Sequence, residues 1–246
     1  MISRRWVLAL PTVGLLAQAG RETEYMAADL LRGTRVCRWE RPGAAVSMGS
    51  LLKPFLVIAY AQTHNRFPEL VCRGAVDHCW LPRGHGRQNV VTALANSCNF
   101  YFRRIAADVN AAALRSICLS YGLESPEMGI TADRLIGLGA GWPQRASAVL
   151  GAFVKLSQER SDPGTELALE GMHQCVERGT ARGLGLNVRG KTGTAPCSHT
   201  PRSEGDGYLT VLYPLDRARL ILLVRHCGTT GAHAAQLALP ILQKLV

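Results

Sequence analysis

The hydrophobic pattern changes period along the chain. Residues 24–31 and 34–39 flank Arg32-Gly33, a turn signal between two short segments that predicts a β-hairpin. Residues 51–63 are apolar and long enough for a helix, and Pro54 falls in the first turn, where its missing N–H is tolerated. A polar connection containing Gly and Pro covers residues 64–87. Helical spacing resumes over 88–95, 99–109 and 111–121, the first two separated by a break around Asn96-Ser97, and continues over 143–160 and 165–178. The C-terminal part differs. Residues 186–195, 207–213 and 218–225 read as strands, with Leu215-Asp216-Arg217 as a turn, and 232–246 as a closing helix.

Strands at both ends and helices between them predict an α+β fold: an antiparallel sheet of about five strands formed by both chain ends, flanked by helices, with a mainly helical inserted subdomain. No internal repeat and no second domain boundary is visible, so residues 20–246 read as one domain.

Composition narrows the classes. The chain has 246 residues, 47% hydrophobic and 19% charged, which excludes disorder and allows a sizeable core. A net charge of +10 would suit a nucleic-acid binder, but the arginines are scattered and lack aromatic interleaving. That pattern describes a solvated surface, and no nucleic-acid partner is expected. Only Lys53, Lys155, Lys191 and Lys244 are lysines.

Residues 1–19 read as a signal peptide: Arg4 and Arg5, an apolar stretch over 6–16, and Ala17-Gln18-Ala19 as a small-x-small cleavage site. The expectation is export to the periplasm or cell envelope, by the general secretory or the twin-arginine route, or membrane anchoring if the segment stays uncleaved. Cysteines in an exported chain allow disulfides, and Cys72 with Cys79 is the candidate pair. Zinc on Cys72, His78, Cys79 and His85 is the alternative. The spacing matches no C-x-x-C framework, so no metal and no cofactor are expected.

Three short elements carry chemistry. Ser50-Leu51-Leu52-Lys53 places a hydroxyl and an amine one helical turn apart on one face. A hydroxyl becomes a good nucleophile when a base takes its proton, and a lysine made less basic by burial and nearby cations can be that base. Ser97-Cys98-Asn99 lies at the predicted helix break, offering a second hydroxyl for proton transfer and an amide for a substrate carbonyl. Lys191-Thr192-Gly193-Thr194 falls on a predicted strand, with a cation, two hydroxyls and a glycine that admits a ligand close to the backbone. At this composition, random placement yields all three in roughly one sequence in a thousand.

Ser-x-x-Lys, Ser-x-Asn and Lys-Thr-Gly in this order resemble the signature of penicillin-binding proteins and serine β-lactamases. The likeness extends through the hairpin at 29–36, Gly49-Ser50-Leu51-Leu52-Lys53-Pro54-Phe55, and Gly84-His85-Gly86 ahead of 93–99. It continues in Gly137-Leu138-Gly139, Arg178-Gly179-Thr180-Ala181 and Asp206-Gly207-Tyr208, and covers most of the chain after the signal segment. The chain resembles a class B penicillin-binding transpeptidase domain.

The resemblance implies a serine D,D-transpeptidase or D,D-carboxypeptidase acting on D-alanyl-D-alanine peptidoglycan stem peptides, with β-lactams as inhibitors. It makes Ser50 the nucleophile, Lys53 its base, and Ser97 with Lys191 the proton relay to the leaving nitrogen. Asn99, Thr192, Gly193 and Thr194 become the substrate-binding residues, and the N–H groups of Ser50 and Thr194 the oxyanion hole. Little chain separates Gly20 from Ser50, so neither a pedestal nor a glycosyltransferase domain is expected, and a cell-envelope protein partner stays open. The motif spacings are closer to class D β-lactamases and penicillin-sensing receptor domains, which keeps a class D-like β-lactamase and a non-turnover β-lactam- or muropeptide-binding module as alternatives. Against class A, no Glu-x-x-Leu-Asn lies between Ser97 and Lys191; against class D, Asn99 stands where an apolar residue is usual, and Leu123 where asparagine is. With no evident base for deacylation, slow hydrolysis of the acyl-enzyme is expected.

Overall fold

The two ends of the chain meet in one sheet. The computed structural model describes residues 23–139, 141–159, 162–185, 187–197 and 205–246, and the signal-peptide reading of residues 1–19 lies outside them. Strands β1 (Thr23–Asp29) and β2 (Thr34–Arg38) form the expected hairpin. Four short strands follow, β3 (Ala45–Val46), β4 (Leu70–Cys72), β5 (Gly86–Gln88) and β6 (Gln144–Arg145), with β3 paired to β6 and β4 to β5. The C-terminal strands β7 (Arg189–Ala195), β8 (Asp206–Tyr213) and β9 (Leu220–Cys227) complete an antiparallel sheet ordered β2-β1-β9-β8-β7. Its seam is the β1–β9 pairing, with Met26 opposite Leu223.

The helices are α1 (Lys53–Ala61), α2 (Val90–Ala95), α3 (Asn99–Asp108), α4 (Ala111–Tyr121), α5 (Ala132–Leu135), α6 (Ala146–Gln158), α7 (Pro163–Glu177) and α8 (Gly231–Leu245). The architecture is the expected α+β one. Among the described residues, no helix is long and apolar enough to cross a membrane.

Strand β9 is apolar at every position from Leu220 to Val224 because helices cover both faces of the sheet. Leu220, Leu222 and Val224 join Leu209 and Val211 against Ala235, Ala238 and Leu242 of α8. Ile221 and Leu223 face the larger core with Val149, Leu150 and Phe153 of α6. Helix α1 is apolar all round and buried from Lys53 to Tyr60, packed by α3, α4 and α7. Its Phe55 ring lies 5.1 Å from Tyr121 and 5.2 Å from Phe153, centroid to centroid. Truncating so enclosed a ring costs about 3–5 kcal/mol, so the helix behind the site is rigidly seated.

Candidate active site

Ser50 lies on a 3₁₀ turn, Gly49–Leu52, that runs straight into α1. The turn abuts β7. Gly49 has φ +55°, and a Cβ there would stand 2.2 Å from the Thr194 carbonyl oxygen, so only glycine lets the two segments approach this closely.

Lys53 follows one turn later and is fully buried. Its Nζ donates to Asn99 Oδ1 at 2.8 Å and to the Ser97 carbonyl at 3.1 Å, and lies 3.4 Å from Ser97 Oγ. Burial, and then the charge of Lys191, hold this amine well below its ordinary 10.5. An uncharged amine has two N–H bonds and one lone pair. The two carbonyl oxygens take the N–H bonds and leave the lone pair for a hydroxyl.

Ser97 owes its place to the end of α2. Asn89 caps that helix at its start, sharing a capping box with Thr92. At its end, the Ser97 N–H reaches the Leu94 carbonyl (3.2 Å) and the Cys98 N–H the Ala93 carbonyl (2.9 Å), the bond pair of a Schellman motif. Ser97 takes the left-handed position, φ 52°, where glycine is usual. A side chain held there costs about 1–3 kcal/mol, and this one is a hydroxyl between two lysines.

Lys191 of β7 is the second, also fully buried; its Nζ donates to Ser97 Oγ at 3.1 Å and to the Thr192 carbonyl at 2.8 Å. Burial lowers its pKa to about 8, so it is mainly charged at neutral pH. Ser97 Oγ can therefore accept from the Lys191 ammonium and donate to the Lys53 lone pair.

The remaining groups line the same cleft, about 420 Å³, among them Ser50, Ser97, Asn99, Thr192, Gly193 and Thr194. Thr192 Oγ1 is hydrogen-bonded to Thr180, and Thr194 Oγ1 accepts from the Gly231 N–H at 2.9 Å, which leaves its own proton for a ligand. Every residue singled out in the three motifs thus comes to one place. Asn99 differs in detail: its carbonyl oxygen is engaged by Lys53. Trp80 was not legible in sequence. It is half exposed at the rim, and its Nε1 donates to the Ser97 carbonyl at 3.1 Å.

The cysteine expectations need correction. Cys72 and Cys79 form no disulfide. His78 is exposed, in a left-handed turn, so the zinc alternative of Cys72, His78, Cys79 and His85 is not assembled. Instead Cys72, Cys79, His85 and Cys98 converge, their ligand atoms all within 4.8 Å of one another. A hydrogen bond with Cys98, and then the His85 ring, hold the Cys79 thiol far below its ordinary 9.0. The same shared proton, together with burial, pushes Cys98 up.

No protein-family model matches the sequence, and no curated protein sequence matches it. Solved structures do. Penicillin-binding protein 2 of Pseudomonas aeruginosa, in complex with WCK 5153, superposes with TM-score 0.73 at 17% identity, over 89% of this chain and 70% of that one. The fold is that of a penicillin-binding protein transpeptidase domain. Penicillin-binding protein 2 of Helicobacter pylori, in complex with MreC, gives TM-score 0.72 at 16% identity, over 91% of this chain and 59% of that one. The FtsI4 transpeptidase domain of Legionella pneumophila gives 0.66 at 17%, over 91% of this chain and 89% of the domain. The chain is thus commensurate with the isolated domain and spans only part of the longer proteins that carry the fold.

Proposed function

We propose that this protein is a penicillin-binding serine D,D-transpeptidase or D,D-carboxypeptidase, acylated at Ser50 by D-alanyl-D-alanine stem peptides and by β-lactams. The observation that carries the reading is the convergence of two fully buried lysines on Ser97 Oγ beside the cleft that Ser50 lines. Among the described residues neither lysine has a carboxylate as hydrogen-bond partner, and burial lowers the Lys53 pKa well below its ordinary value, which favours its acting as a proton acceptor.

In this mechanism the Ser50 hydroxyl attacks the penultimate peptide carbonyl, and Lys53 takes its proton. The N–H groups of Ser50 and Thr194 hold the oxyanion. The proton then passes from Lys53 through Ser97 to the leaving amine, with the Lys191 charge stabilising the anionic character that develops at Ser97. Thr192 and Thr194 bind the substrate's terminal carboxylate, Gly193 lets the peptide lie against β7, and Asn99 binds the substrate amide while orienting Lys53. The acyl-enzyme is released to an amine, which gives a cross-link, or to water.

Export to the cell envelope and a protein partner there belong to the same proposal, supported by the signal-like residues 1–19 and by a similar fold having been solved in complex with MreC. The test is a pentapeptide ending in D-alanyl-D-alanine, incubated with and without a D-amino acid acceptor and followed by product mass. Release of D-alanine, with exchange when the acceptor is present, is expected. Intact peptide alongside rapid turnover of penicillin would replace this reading with a β-lactamase. A stable penicillin adduct without peptide turnover would replace it with a binding module.

A further inference from the structure

The cleft is also lined by Thr180, a hydroxyl outside the three motifs that the mechanism does not use. Its place follows from the way α7 ends. The Arg178 and Gly179 N–H groups both reach the Gln174 carbonyl at 3.0 Å, which turns the chain out of the helix. A Cβ at position 179 would stand 2.2 Å from the Ala95 carbonyl oxygen, so glycine lets this turn close onto the end of α2. The Thr180 N–H then donates to the Ala95 carbonyl at 3.1 Å, one of the acceptors that a helix C-terminus leaves without an intrahelical partner. Thr180 is thereby pinned between the segment that carries Ser97 and strand β7.

Its side chain links a buried thiol to the substrate cleft. Cys175 Sγ of α7, fully buried, lies 3.3 Å from Thr180 Oγ1, and Thr180 Oγ1 is hydrogen-bonded in turn to Thr192 Oγ1. A hydroxyl has one proton and can also accept, so the direction of such a chain is set at its ends. At the cleft end Thr192 must donate, because a carboxylate only accepts. Thr180 must then donate to Thr192 rather than to the Ala95 carbonyl, which lies 3.5 Å from its oxygen and already holds the Thr180 N–H. That leaves Thr180 as an acceptor, and the Cys175 S–H is the donor beside it.

We propose that Cys175, Thr180 and Thr192 form a one-way donor chain that aims the Thr192 proton at the terminal carboxylate of the substrate, with Thr180 and Cys175 as positioning residues. The inference rests on the reading of Thr192 as a carboxylate ligand. Its consequence is selectivity for an ionised chain end. Thr194 accepts from the Gly231 N–H and keeps its own proton free, so Thr192 and Thr194 together present two protons to two carboxylate oxygens. A carboxamide places an N–H₂ group against one of those protons. Losing one hydrogen bond to a charged acceptor weakens binding by about 10- to 100-fold.

The test measures carboxylate preference without the chemistry. In the full chain carrying Ser50→Ala, dissociation constants of acetyl-D-alanyl-D-alanine and of its C-terminal carboxamide are compared by NMR titration. Adding Thr180→Val should cut the preference for the acid about tenfold, and Thr180→Ser should keep it within about twofold. Cys175→Ala should cut it about threefold, the effect of losing one neutral donor, and Cys175→Ser should restore it. In urea unfolding the order should reverse, because a hydroxyl buried at position 175 leaves the chain no more stable than alanine does. A merely structural part for Cys175 would make preference follow stability. With Ser50 present, Thr180→Val should raise KM for the D-alanyl-D-alanine pentapeptide more than it lowers kcat. A preference unchanged in Thr180→Val, or absent from the parent, overturns the donor chain. A preference that falls in Thr180→Val but not in Cys175→Ala overturns the part given to the thiol. A preference that responds to these variants in a protein that penicillin does not acylate supports the chain and overturns the acylation reading, so the two failures are told apart.

Discussion

Lys191 sets activity and stability against each other as pH rises. Its pKa falls from an ordinary 10.5 to about 8 because the fold buries it. At about 1.4 kcal/mol per pKa unit, keeping it charged costs the folded state about 3 kcal/mol. Below about pH 8 both the folded and unfolded chains hold the proton, and the cost is constant. Between about 8 and 10.5 the unfolded chain still binds the proton while the folded one has released it, so this group's contribution to stability rises with pH. From pH 7 to about 9.5 the gain is about 2 kcal/mol, and Lys53, also lowered, acts in the same direction. Acylation should do the opposite, since the Lys191 charge serves the proton relay. With a pKa of about 8, only about a tenth of the molecules carry that charge at pH 9, and the rate should fall about tenfold from its plateau. The assay pairs urea unfolding with acylation by a fluorescent penicillin at several pH values, in the wild type and in Lys191→Met. Subtracting the variant isolates this lysine from other titrating groups. The reasoning fails if the wild type gains no stability over Lys191→Met as pH rises, or if its acylation keeps climbing through pH 9.

Lys53→Ala should slow acylation about 10²–10⁴-fold, the usual contribution of a general base, measured as a pseudo-first-order rate at saturating penicillin. Gly49→Ala should cost at least about 1–2 kcal/mol and nearly abolish acylation, because it meets a left-handed backbone and the Thr194 carbonyl at 2.2 Å. Gly43→Ala, with nothing within 4 Å, should stay within about 0.5 kcal/mol in the same urea titration. Ser97→Gly relieves the left-handed strain and should be neutral to stabilising, by up to about 1 kcal/mol, while turnover of a D-alanyl-D-alanine peptide falls at least about 10²-fold. A parallel loss of stability and turnover would contradict the view that Ser97 is strained for its hydroxyl.

Much of this was legible because the signals were local. The turn signal Arg32-Gly33 between two short segments predicts β1 and β2, and helix α4 runs over the same 111–121 that the apolar spacing marks. The continuous apolar run of β9 likewise announces a strand buried on both faces. Strands β3 to β6, two or three residues each, carry no period and were not visible. The three motifs identified the site's residue types, but not that both lysines meet on one hydroxyl, which depends on the packing of α1, α2 and β7. The cysteine cluster failed for a related reason. Local spacing suggested His78, but a left-handed turn leaves it exposed, and the partner comes from Cys98 at the head of another helix. Loop geometry, rather than hydrophobic patterning, decides which side chains converge there.

The central claim is that Ser50 carries the acyl group. The direct measurement is the intact mass of the protein after incubation with benzylpenicillin, followed over time and mapped to a peptide. One adduct per chain, on Ser50, persisting for many minutes and absent from Ser50→Ala, is the predicted result. No adduct, or an adduct that survives Ser50→Ala, would contradict it.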